Sequence, residues 1–263
     1  MASDPSEGTL AAVPPALELV GLAKSFGGVP AVAGIDLTVP VGSFYGLVGP
    51  NGAGKTTTLS MATGLLRPDA GTATVHGRDV WADPVAAKAM IGNLADGIRL
   101  FDRLTGAQLI TYTGMMFGLP RDELAGRTAD LLQLTDLTAA AGMPVADYSA
   151  GMVKKVALAC ALVHAPRLLV LDEPFESVDP VSAANIEDVL RGYTASGGTV
   201  IVSSHSMDLV QRMCDHVAIV AAGRVLVAGT TDEVRAGSSL QDRFLDLVGG
   251  RTRSEGPQWL RQS

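Results

Sequence analysis

Hydrophobic and polar positions along this chain fall into two alternating periods. Leu17–Val20 and Ile35–Val39 show the alternation or β-branching of strands, with Ser25-Phe26-Gly27-Gly28 as a turn between them. Ser43–Val48, Met90–Leu94, Leu168–Leu171 and Thr199–Ser203 are short, largely apolar runs, the pattern of strands buried on both faces. Gly71–Val75 reads as a further strand, and Val217–Val220 with Arg224–Val227 as a closing hairpin around Ala221-Ala222-Gly223. Helical signals lie between these runs. Thr57–Ala62 reads as a helix; Asp83-Pro84 and Asp179-Pro180 each place a capping Asp before a Pro at the first helical position. Gly192 is placed to close the second of these helices. From Thr105 to about Asp147 the pattern is helical, with Leu124, Thr128, Leu131 and Leu132 on one face. No internal repeat is visible. Strands alternating with helices predict an α/β fold with a mainly parallel sheet covered on both faces and an inserted α-helical block.

In such sheets ligands bind beyond the carboxyl ends of the strands. Three segments put polar groups there. The first is Gly49-Pro50-Asn51-Gly52-Ala53-Gly54-Lys55-Thr56, which fits the phosphate-binding P-loop pattern and sits between a strand and a helix. Its glycines let the backbone wrap closely round an anion, with main-chain N–H groups and the helix N-terminus aimed at phosphate. Lys55 would reach the β- and γ-phosphates as a point charge, and the Thr56 hydroxyl would ligate Mg²⁺. The second is Asp172-Glu173 after Leu168–Leu171, a Walker B pattern. Asp172 would hold Mg²⁺, mainly through water, and Glu173 would polarise the attacking water. The third is His205 after Val202-Ser203-Ser204, placed to donate to the γ-phosphate and steady Glu173.

Composition narrows the setting. The chain has 263 residues, enough for one large domain with subdomains or two small ones. Hydrophobic content is 47%, yet the longest apolar stretch, Val156–Leu171, is broken by His164, Pro166 and Arg167, so no membrane span is predicted. Met1–Gly8 is acidic and polar, unlike a secretory leader, and the chain reads as cytoplasmic. Cys160 and Cys214 lack metal-ligand spacing and read as buried small hydrophobes. A formal charge of −7 argues against a nucleic-acid surface. Met1–Pro15 reads as a loose tail and Gly249–Ser263 as a poorly ordered polar end.

Taken in order, Phe26, Gly49–Thr56, Tyr148-Ser149-Ala150-Gly151-Met152, Leu168–Glu173, Ser177-Val178-Asp179 and His205 resemble the ATP-binding subunits of ABC transporters. The resemblance runs from about Ala16 to Val234, and its most specific element is Ser149–Met152, which looks like the family signature. It implies a P-loop core with an N-terminal antiparallel β subdomain and an inserted helical subdomain, about residues 97–158, within an ATPase domain of residues 16–240. A C-terminal helix and polar tail would occupy 241–263. It implies that Phe26 stacks on adenine and that Gly49, Pro50, Asn51, Gly52, Ala53, Gly54, Lys55, Thr56 and Thr57 hold ATP. Two chains would meet head to tail, with Ser149, Ala150, Gly151 and Met152 of one contacting the nucleotide of the other, and Asp179 in a loop that crosses the interface. The implied partners are separately encoded membrane subunits and a second copy or a similar chain, beneath the inner face of the cell membrane.

The chain departs from the family pattern at two places. Ala150 and Met152 stand where a glycine and a glutamine are usual, a variant resembling exporters of the type-2 class. Asp96 stands where glutamine usually touches Mg²⁺ and the attacking water; a carboxylate can bind Mg²⁺ but cannot donate an amide hydrogen bond. Tyr112, Met115, Met116 and Phe117 form an apolar cluster that reads first as subdomain core and second as a groove for a helix of a membrane subunit. The alternatives to a transport ATPase are a soluble ATPase of the same type working on DNA or ribosomes, and a regulator that binds nucleotide but hydrolyses it weakly.

Overall fold

A computed structural model describes residues 13–97 and 99–248; the two tails read from Met1–Pro15 and Gly249–Ser263 fall outside it, apart from residues 13–15. The chain opens with a long hairpin, β1 (Leu17–Phe26) and β2 (Val29–Val39), closed by Gly27 and Gly28, both at positive φ. β3 (Phe44–Val48) follows and is buried at every residue, as its unbroken apolar pattern requires. The phosphate loop leads into α1 (Lys55–Ala62), and then come β4 (Ala70–Val75), β5 (Arg78–Asp79), α2 (Pro84–Ala89) and β6 (Ile91–Leu94). The helical block holds α3 (Gly106–Met116), α4 (Arg121–Leu134) and α5 (Ala150–Leu162). The chain then runs through β7 (Leu168–Asp172), α6 (Pro180–Ala195), β8 (Thr199–Ser204), α7 (Met207–Met213), β9 (His216–Ala221), β10 (Arg224–Thr230), α8 (Thr231–Arg235) and α9 (Leu240–Leu247).

Two sheets result. β2-β1-β4-β5 is antiparallel; the six-stranded sheet has the order β10-β9-β3-β8-β7-β6 and is parallel except for the β9–β10 hairpin. One core fills the space between the sheets around α1, with Leu17, Ile35, Leu47, Met61 and Val170 fully enclosed. A second packs α5, α6 and α7 on the other face of the parallel sheet. A third, centred on Ile110, Leu124, Leu137 and Val156, belongs to the helical block.

Capping follows the sequence signals. Asp83 accepts from Ala86 N, and Asp179 accepts from Val181 N and Ser182 N. Thr105 and Gln108 form a reciprocal capping box at the start of α3. Gly192 does not end α6. The helix continues for a further turn, held where the Tyr193 hydroxyl donates to Pro166 O at 2.9 Å, and stops at Ser196 before Gly197, whose φ is 95°. A glycine inside a helix is tolerated when its neighbour is anchored; the left-handed position is the real stop. The apolar cluster in the helical block is likewise not core. Leu109, Ile110 and Gly114 take the buried face of α3, and Met116 next to them is 70% exposed, with Tyr112, Met115 and Phe117 also exposed. Cys214 is buried and Cys160 half-buried, both as free thiols. Among the described residues no helix is long and apolar enough to cross a membrane.

Candidate nucleotide site

β3, β8 and β7 lie side by side, with Val48 paired to Ser204 and Asp172 to Ser203. Their carboxyl ends therefore bring the phosphate loop, His205 and Asp172-Glu173 to one edge of the sheet. A cavity of about 450 Å³ opens there, lined by Phe26, Ala31, Asn51–Thr57, Asp96, Glu173 and Glu176. Phe26, at the end of β1, is 51% exposed and carries the Lys24 ammonium 6.0 Å from its ring centre, so it is a cavity wall and not a core residue.

The loop is shaped by backbone contact. Gly54 has φ 100°, and a Cβ there would stand 2.5 Å from Ala31 O; one at Gly49 would stand 2.1 Å from Val220 O. No side chain caps α1, and its first backbone bond runs from Thr58 N to Gly54 O. The N–H groups of Lys55, Thr56 and Thr57 thus face outward at the positive end of the helix, where an anion is favoured. Gly49 and Pro50 lie behind the cavity, and their carbonyls accept from Lys55 Nζ at 2.7 and 3.3 Å.

Charged groups converge on the same point. Glu173 Oε1 is 3.6 Å from Lys55 Nζ, and Glu173 Oε2 accepts from His205 Nδ1 at 3.1 Å. Asp172 is buried and accepts from the Ser203 hydroxyl, whose oxygen in turn accepts from Glu173 N at 3.0 Å. Glu173 has φ 46°, a left-handed conformation that costs a non-glycine residue about 1–3 kcal/mol. Its surroundings maintain that strain, which is common where a side chain has to be aimed. Asp96 lines the cavity, with Oδ1 4.0 Å from Lys154 Nζ.

The signature stretch lies elsewhere. Ser149 caps α5 by accepting from Met152 N at 3.3 Å, and it is exposed. Gly151 is buried against α6, where a Cβ would stand 2.7 Å from Ser182 Oγ and 2.9 Å from Asp179 Oδ2. The Ser182 N–H and then the Ser182 hydroxyl hold the Asp179 carboxyl below the usual carboxylate range. Neither Ser149–Met152 nor Asp179 lines the nucleotide cavity. The chain thus presents two separate surfaces, one carrying the phosphate loop and the other the signature with Asp179.

Three contributors escape a reading of the sequence. Ser203 joins Asp172 to Glu173, Lys154 reaches the Glu173 carbonyl, and Ala31 supplies backbone against Gly54. Paired serines at the end of an apolar strand and a lysine pair in an apolar helix are the only marks the first two leave.

No group of three or more His, Cys, Asp or Glu side chains able to hold a metal ion occurs among the described residues. The Thr56 hydroxyl and the Asp96 carboxylate in the cavity wall, with Asp172 buried at the same sheet edge, are oxygen donors of the kind Mg²⁺ takes one or two at a time, beside its waters and substrate phosphates.

A family model described as "ABC transporter" matches residues 32–176, more than half of the chain. The daunorubicin/doxorubicin resistance ATP-binding protein DrrA of Streptomyces peucetius is 35% identical over 245 residues, covering 93% of this chain and 74% of that protein. The linearmycin resistance ATP-binding protein LnrL of Bacillus subtilis (strain 168) is 35% identical over 218 residues, covering 83% of this chain and 70% of that protein. A solved structure of the ATP-binding subunit of an ABC transporter superposes with a TM-score of 0.82 at 28% identity, over 88% of this chain and 99% of that one. With the phosphate loop, acidic pair and histidine on one sheet edge, these likenesses establish that the chain belongs to the ABC transporter family, as one of its ATP-binding, ATP-hydrolysing subunits.

Proposed function

We propose that this chain hydrolyses ATP to drive export through separately encoded membrane subunits, as a head-to-tail dimer with a second copy or a similar chain. The observation that carries the reading is that Lys55 and Glu173 line one cavity, with His205 bonded to the Glu173 carboxylate, while Ser149–Gly151 and Asp179 lie outside its lining. Phe26 stacks on the base. The outward N–H groups of α1 and the Lys55 ammonium take the β- and γ-phosphates, and Lys55 exchanges its loop carbonyls for phosphate oxygens. Thr56 and Asp172, with Asp96 beside them, are the residues that would hold Mg²⁺, which supplies neutralisation of phosphate charge. Glu173 takes the proton of the attacking water as general base, and His205 holds the carboxylate and the γ-phosphate in register. Ser149 and the Gly151 backbone of the opposed chain complete the far side of the phosphate. ATP therefore favours the closed pair, and its hydrolysis removes that preference.

The membrane partner has a place to dock. A cavity of about 350 Å³ is lined by Leu65, Phe101, Leu109 and Phe117, with Lys88, Arg99 and His164 also in its walls; of the exposed cluster on α3 only Phe117 reaches it. Apolar walls of this kind grip one face of an amphipathic helix. The chain would then sit peripherally on the cytoplasmic face of the membrane. Relatives named as Nod factor export proteins support export, against one named for methionine import.

Purification of the tagged chain from its own cells in mild detergent tests the assembly. Recovery of a multi-spanning membrane protein with ATPase activity is expected. Recovery of ribosomes or nucleic acid alone would replace transport with one of the soluble roles. Loss of the chain should raise accumulation of the transported compound inside cells, and a fall would reverse the direction.

A further inference from the structure

Lys154 belongs to α5, the helix that begins at Ser149, yet its ammonium leaves that helix and donates to the backbone carbonyl of Glu173 at 3.0 Å. The same ammonium lies 4.0 Å from Asp96 Oδ1, and the side chain is only 16% exposed. On the other side of Glu173 the N–H donates to Ser203 Oγ on β8. Both peptide groups flanking a residue with φ 46° are therefore held, one by the parallel sheet and one by the helical block. The carboxylate they aim meets Lys55 and His205.

We propose that Lys154 is a positioning residue for ATP hydrolysis, holding the Glu173 carbonyl and the Asp96 loop together so that the strained backbone keeps Glu173 aimed into the cavity. This rests on Glu173 being the general base. The chemistry suits lysine, since an ammonium has three donors and can serve a carbonyl and a carboxylate at once. Removing it leaves the carbonyl with only the Glu176 N–H, 3.2 Å away within the same loop, and unties that loop from α5, which lets the strained backbone relax and swings the carboxylate away from His205. Misplacement by about 1 Å costs on the order of 10²-fold in rate. Because α5 also presents Ser149, a shift of that helix reaches the base of its own chain through this one side chain.

The test is a kinetic cycle on the full chain with its partner subunits, using Lys154→Met, Lys154→Arg, Glu173→Gln and the Lys154→Met/Glu173→Gln pair. Lys154→Met should lower kcat about 10- to 100-fold with KM for ATP within about twofold, and Lys154→Arg should recover most of the rate. In the Glu173→Gln background Lys154→Met should change single-turnover rate by less than about twofold, because the residue it positions is already disabled. An unchanged kcat in Lys154→Met beside a large loss in Glu173→Gln would overturn the proposal alone. Equal losses in both backgrounds would also overturn it, since Lys154 would then act independently of Glu173. Normal turnover in Glu173→Gln would overturn the base assignment and the proposal with it. Should Lys154→Met fail to fold, Lys154→Gln carries the same arms.

Discussion

The nucleotide cavity and the corner where α5 meets α6 belong to one chain but use their polar groups differently. At the cavity, Glu173 is paired with Lys55 and bonded to His205, and behind it Ser203 joins Asp172 to the Glu173 N–H. At the corner, Ser149 and Asp179 satisfy the N–H groups of their own helices, and Gly151 packs flat beneath Ser182. One region carries the reacting groups; the other carries shape, two helix starts and an exposed hydroxyl. On the proposed function, the corner would need an anion from a second chain before it had any chemistry, whereas the cavity would bind its ligand within one chain.

The largest expected effect tests the cavity side. Glu173→Gln should reduce phosphate release on the order of 10²–10⁴-fold and leave ATP binding intact, so the ATP-bound pair accumulates on a sizing column. Unchanged turnover would remove Glu173 as the base. Next, Ser149→Arg should cost about 10²-fold in turnover by blocking closure, with ATP binding to the single chain within about twofold of normal. If nucleotide binding to the single chain fell as steeply, the two regions would not be separate. A smaller effect distinguishes shape from chemistry at the corner. Gly151→Ala pushes a Cβ against Ser182 Oγ and Asp179 Oδ2, which should lower stability by about 1–3 kcal/mol in a thermal melt, with Ser182→Ala relieving part of it.

The smallest effect guards against misreading pH data. Burial holds the His164 imidazole below its ordinary pKa, against a weaker opposing bond to Ile91 O. The folded chain then binds fewer protons at this residue than the unfolded one, so its contribution to stability is present above about pH 6.5 and is lost as pH falls through the folded value. Melting temperature should drop between pH 7.5 and 5.5, and His164→Phe should flatten that drop. If it does not, the drop belongs to His76, which burial also holds below its ordinary pKa.

Much of this was legible because it is local. The order of strands and helices, the capping Asp residues and the motifs at strand ends all follow from short-range pattern. Gly192 misled because a glycine's effect on a helix depends on what anchors its neighbours, here Tyr193 on Pro166. Phe26 and the α3 cluster were ambiguous because periodicity does not say which of two apolar faces is covered. Lys154 and Ser203 were hidden because their roles lie in contacts 19 and 30 residues distant along the chain.

The floor of the phosphate loop is assembled from two remote pieces of backbone, the Ala31–Ala33 part of β2 and the turn at Gly223. Gly54 packs on Ala31 O, Ala53 O accepts from Gly223 N at 3.0 Å, and Gly223 O accepts from Ala33 N at 2.8 Å. β3 itself pairs only with β8 and β9. A ribosome that has delivered the whole Gly49–Thr56 sequence has already delivered Ala31 and Ala33 but not Gly223, nor the strands that flank β3. Contacts of such long sequence separation form late. A chain cut short before the turn at Gly223 therefore carries the phosphate-loop sequence without the backbone contacts that hold Ala53 and Ala33 around it.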